Sequence, residues 1–176
     1  MAGTWRLSCR AINLNTSKHL LSLENPTGSG KVAKIYKIWG LNTAGIALTG
    51  VILQLEMRKL VTLTSVSGGV TIAPVSYRSS NTALGTVTGY TNRTYTTIGT
   101  NSLMRRIPWA SDEATQTTAT QDEMQLFNPY NVWWDSSYND TNCEPIVIRA
   151  DEAFTIQQLT TSTVGFIDIF MELTIE

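Results

Sequence analysis

The sequence predicts an all-β chain, an antiparallel β-sandwich of jelly-roll type with long connecting loops. Two observations carry that prediction. The last stretch, Gly165 to Glu176, alternates: Ile167, Ile169, Met171, Leu173 and Ile175 fall on one face, and Asp168, Glu172, Thr174 and Glu176 on the other with Phe166 and Phe170. A period of two over that length is a strand with one buried face. Composition points the same way. Only 15% of the 176 residues are charged, below the roughly 25% usual for soluble domains. Threonine, serine, asparagine and glycine fill the gap and favour strands and turns.

Taken in order, residues 1–18 read as an N-terminal arm or a first strand. Trp5, Leu7, Ile12 and Leu14 alternate only loosely there, among the basic Arg6, Arg10 and Lys18. Residues 19–176 read as a single β-sandwich domain. His19 to Glu24 is a short strand, Asn25-Pro26-Thr27-Gly28-Ser29-Gly30 a turn, and Lys31 to Trp39 a second strand, together a hairpin. The stretch from Val51 to Val66 supplies a pair of strands or one bent one. After the turn Ser67-Gly68-Gly69, a short strand to Val75 carries Pro74, which suits an edge. Residues 76–143 read as a loop-rich insertion with short strands at Gly85–Tyr90 and Thr94–Ile98. Ser111-Asp112-Glu113 and Thr120-Gln121-Asp122-Glu123 resemble helix starts. Strands return at Ile146–Ile148 and Phe154–Leu159. In a jelly roll the first and last strands lie side by side. The closing strand should therefore meet the arm or the segment around Leu20 to Leu23.

The net charge of −1 draws the chain neither to nucleic acid nor to an anionic membrane. Its distribution is uneven. Up to residue 88 there are nine Lys/Arg and two acids, and after it four Lys/Arg and twelve acids. The halves either neutralise each other within one molecule or face each other between subunits. Cys9 and Cys143 have no CxxC neighbour and are read as reduced thiols. The start of the chain lacks a secretory pattern, and no apolar run is long enough for a membrane-spanning helix. A chain made in the cytoplasm would leave the sequons at Asn15, Asn92 and Asn139 unglycosylated.

No catalytic set emerges, and the chain is read as a non-enzyme without cofactor or metal. Gly28-Ser29-Gly30-Lys31 lacks the first glycine of a phosphate loop, where Asn25 stands, and Val32 replaces its Ser/Thr. His19 is the only histidine, with no nucleophile motif beside it and no metal-ligand spacing to the cysteines. The acid pairs Asp112-Glu113, Asp122-Glu123 and Asp151-Glu152 read as solvated turns rather than a glycosidase couple. Tyr130, Trp133, Trp134 and Tyr138 form the densest aromatic patch, suited to a satellite core, a subunit interface or a sugar surface. The candidate interface residues are Trp5, Arg6, Arg10, Arg105, Arg106, Trp109, Tyr130, Trp133 and Trp134.

Three stretches, Leu23 to Lys31, Glu144 to Arg149 and Phe166 to Glu176, resemble the small β-sandwich virion proteins of tailed bacteriophages. Within that group the chain is most similar to capsid decoration, or cement, proteins. The resemblance covers both ends and leaves residues 40–140 unmatched. It implies a structural protein that binds the outside of an assembled capsid and stabilises it, as a homotrimer contacting the major capsid protein, and that resides in the virion. The alternative is a tail or baseplate module that recognises a host glycan through the aromatic loop.

Overall fold

A computed structural model describes residues 3–42, 52–80, 85–98, 101–110, 131–137, 144–159 and 165–176. Thirteen strands and no helix occur among them. The predicted helix starts at 111–114 and 120–124 lie outside the described residues, as do Tyr130 and Cys143.

Eight strands form the frame: β1 (Gly3–Asn13), β2 (His19–Asn25), β3 (Ala33–Asn42), β4 (Ile52–Leu60), β9 (Asn101–Ala110), β10 (Asn131–Asp135), β12 (Glu152–Gln158) and β13 (Phe166–Ile175). The first pairs with the last, the second with the penultimate, the third with the sixth and the fourth with the fifth. One sheet runs β10-β3-β13-β1 and the other β2-β12-β4-β9. That winding is a jelly roll. β11 (Ile146–Ile148) adds to β3. Between β4 and β9 the chain inserts β5 (Leu63–Ser67), β6 (Val70–Ile72), β7 (Val75–Ser76) and β8 (Thr88–Ile98), of which β5 and β6 pair with β8 and β7 with β1.

Alternation explains the core. Trp5, Leu7, Cys9 and Ile12 of β1 stand opposite Leu173, Met171, Ile169 and Ile167 of β13, all buried. The facing sheet contributes Leu21, Leu23, Leu55, Met57, Phe154 and Ile156. Close approach of the sheets needs Gly89 of β8, since a Cβ there would meet the Leu7 side chain at 2.6 Å.

Two expectations offered alternatives that the sheet decides, and two others change. The segment at 1–18 is a first strand: β1 lies between β13 and β7 in the sheet. The stretch from His19 to Trp39 is not a hairpin, because β2 and β3 belong to different sheets. Its turn crosses the sandwich, with Gly28 and Gly30 at positive φ and the Asn25 side chain donating to the carbonyls of Lys31 and Ile148. The closing strand meets β1 and β3, while Leu20 to Leu23 sit in the opposite sheet. Within 76–143, much of the predicted loop is strand, in β8, β9 and β10.

β8 loses one partner midway. It pairs with β2 as far as Arg93, while its other edge carries β6 at Gly89–Thr91 and β5 from Thr94 onward. Asn92, at the change, has φ 53°. β9 then begins at Asn101, opposite Leu60 of β4. β8 and β9 are about 19 Å apart across β2, β12 and β4 at the usual strand spacing. The β5–β8 ribbon therefore traverses the outer face of the second sheet.

Candidate functional site: the rim between β9 and β10

At one side of the sandwich, β9 ends one sheet and β10 with β11 ends the other. β9 pairs with β4 along its length, and among the described residues no strand lies on its other edge. Leu103 on this strand is 49% exposed, close to Arg105 and Arg106.

Arg105 and Arg106 leave β9 in different directions, as neighbours on a strand must. Arg105 Nη1 donates to the Trp133 carbonyl at 2.8 Å and so spans the gap to β10. Arg106 Nε donates to Glu56 Oε1 at 2.8 Å on the outer face, while Arg58 holds Glu56 Oε2. Burial raises the Glu56 pKa, but the hydrogen bonds from Arg58 and Arg106 outweigh it and hold the carboxyl below its ordinary value.

Between the two sheet ends opens a cleft of about 500 Å³, lined by Lys59, Met104, Trp134, Glu144, Pro145, Ile146, Val147 and Arg149. Trp134 is half-buried against the core, with its aromatic body facing this wall. Lys59 bridges to Glu152 at 2.9 Å. Arg149 is exposed, and its guanidinium has no hydrogen bond or ion pair among the described residues.

The rim thus brings together Arg105, Arg106, Trp133 and Trp134 of the predicted interface. Trp133 must be corrected: it is 1% exposed, its indole under Gly40, and it serves the core. Trp5 is likewise core, at 7%. Arg6 and Arg10 lie on the outer face of the other sheet, away from the rim. The Arg6 guanidinium sits over the stacked rings of Trp39 and Phe170, 5.1 and 4.9 Å from their centroids. Arg10 is exposed. Trp109 belongs to β9 by its backbone, opposite Leu53.

Sequence reasoning missed the polar layer beneath the β5–β8 ribbon. Arg93 grips Glu24 with Nε at 2.9 Å and Nη2 at 3.3 Å, and the Tyr95 hydroxyl donates to Glu24 Oε1 at 2.7 Å. His19 lies edge-on to Tyr95, ring centroids 4.7 Å apart. Burial and the charge of Arg58 lower its pKa to about 4. A histidine kept neutral by burial, edge-on to the tyrosine that holds Glu24, is a fastening of the ribbon. The Asp151-Glu152 pair is a turn device: Asp151 accepts from the Thr27 hydroxyl at 3.0 Å and Glu152 from the Arg149 amide at 2.7 Å. Cys9 is a free, buried thiol whose pKa burial pushes up to about 12. No group of three potential metal ligands occurs among the described residues.

No protein-family model, no curated protein and no solved structure matches this chain.

Proposed function

We propose that this chain is a structural virion protein that binds the outside of an assembled phage capsid and stabilises it, with the β9–β10 rim as its docking surface. The observation that carries the reading is the open, cationic edge of β9. β9 pairs with β4 on one side, and among the described residues no strand covers its other edge, which leaves backbone N–H and C=O groups there for another chain. Jelly rolls recur in capsid and lectin domains, which supports the reading by analogy of fold. The bacteriophage resemblance of both ends of the sequence adds the direction of that analogy.

Binding to the folded shell stabilises it by mass action. The test is co-sedimentation of purified protein with undecorated capsids, followed by heating of bare and decorated particles. Co-sedimentation with a raised disruption temperature is expected. Failure to bind shells, with binding to a glycan array instead, would overturn the reading and assign the cleft and Trp134 to sugar recognition.

A further inference from the structure

We propose that the β9 rim binds an extended, acidic polypeptide segment of a partner protein by strand addition. The inference rests on the docking role assigned above and names the chemistry of what docks. Strand addition needs a free edge, and among the described residues no strand lies on the second edge of β9 (Asn101–Ala110), where Pro108 alone carries no N–H donor. It also needs recesses for alternate side chains of the incoming strand. The cleft beside β9 supplies them, with Met104, Trp134 and Pro145 as apolar walls.

Charge selects the partner. Among the described residues the ionic groups of the rim and their ion-pair partners are Lys37, Arg58, Lys59, Arg105, Arg106 and Arg149 against Glu56, Asp135, Glu144 and Glu152. Six cations and four carboxylates leave +2, on a chain whose net charge is −1. Arg149 makes no ion pair among the described residues, and Arg105 spends only a carbonyl contact. A second copy presenting its own β9 would set arginines against arginines, which disfavours self-pairing. A nucleic acid is disfavoured too: the local surplus is small, and a strand edge alternates donors with acceptors, which phosphates cannot match.

The test titrates the intact protein with peptides the length of β9, alternating valine with glutamate or valine with lysine, and with an oligothymidylate of equal length. Tryptophan fluorescence reports the cleft and amide hydrogen exchange reports the edge. The acidic peptide is expected to bind at least about tenfold more tightly than the basic one. It should protect alternate amides of β9, and Arg149→Glu should remove most of that preference. Arg105→Glu should do the same, and because its contact to Trp133 also closes the rim, Arg149→Glu is the decisive variant. Equal binding of the lysine peptide, no binding of either, tighter binding of the oligothymidylate, or unprotected β9 amides would each overturn strand addition. Co-sedimentation with capsids that persists in Arg149→Glu, alongside any of these results, would leave the virion reading standing while removing this one.

Discussion

Gly40 and Trp133 are fitted to each other across adjacent strands: a Cβ on Gly40 would stand 2.2 Å from the Cζ2 of the indole. The β10–β3 register shifts between Val132 and Trp134, so Trp133 is the extra residue of a bulge. The bulge turns its ring under β3, and only a glycine leaves room for it.

Gly40→Ala should therefore destabilise the protein by about 1–3 kcal/mol through overpacking. Trp133→Leu alone should cost a similar amount or more by opening a cavity. The double variant should cost clearly less than the two single costs added together, because each change relieves the other. Urea unfolding of the four proteins measures the coupling. Simple additivity would show that the ring and the glycine do not compete for the same space.

Glu56 is the carboxylate that two arginines share. Glu56→Gln keeps the shape and removes the charge, leaving Arg58 and Arg106 without their counterion. A loss of roughly 2 kcal/mol is expected, below the cost of breaking a fully buried pair because Arg106 is largely exposed. The pH dependence has a definite sign. A carboxyl whose folded pKa is lowered stabilises above its unfolded value, about 4.5, and that stability drains away as pH falls further. Wild type should lose stability below this pH more steeply than Glu56→Gln. Parallel curves would show that the arginines do not favour the charged carboxylate.

How much of this was legible beforehand depends on distance along the chain. β13 announces itself because its buried face is written locally, Ile167 to Ile175 at a period of two. Its pairing with β1 follows from the jelly-roll rule. By contrast, Arg93 and Glu24 are 69 residues apart, and Arg106 and Glu56 are 50 apart. Nothing in a period or motif joins them; the pairing of β8 with β2 brings the first pair together and the pairing of β9 with β4 the second. Trp133 and Trp134 adjoin in sequence and look alike as aromatic neighbours. The bulge sends one under Gly40 and the other to the cleft, and a bulge leaves no mark in composition. The glycine at 40 is the one local trace of it, since the ring of Trp133 fills the space a side chain there would take.

Tyr95 clasps the ribbon to the sheet. Its hydroxyl, whose pKa is raised by burial and by Glu24, stays protonated and donates to that carboxylate. Tyr95→Phe should cost about 1–3 kcal/mol, since Glu24 keeps Arg93 but loses a buried donor. The effect should be local. Amides of Leu63–Ser67 should exchange faster while those of β13 stay protected. Uniform acceleration throughout both sheets would mean that the ribbon opens only with global unfolding.

His19 gives the ribbon a dependence on acid. Buried beside Tyr95 and facing the charge of Arg58, it holds its proton only below about pH 4, against 6.5 when exposed. Tyr95 stands edge-on to it, Arg93 is its cross-strand neighbour on β8, and Arg58 of β4 supplies the charge that acts on it. As pH falls through 6.5 the unfolded chain takes up a proton that the folded chain refuses, so stability declines until the folded pKa is reached near 4. The full difference is roughly 3 kcal/mol. His19→Phe keeps an aromatic edge against Tyr95 and removes the titration. Unfolding free energies of wild type and variant should hold a constant offset above pH 7 and diverge by that amount towards pH 4, with wild type the loser. An offset that stays flat over the whole range would mean that His19 titrates alike in the folded and unfolded chain.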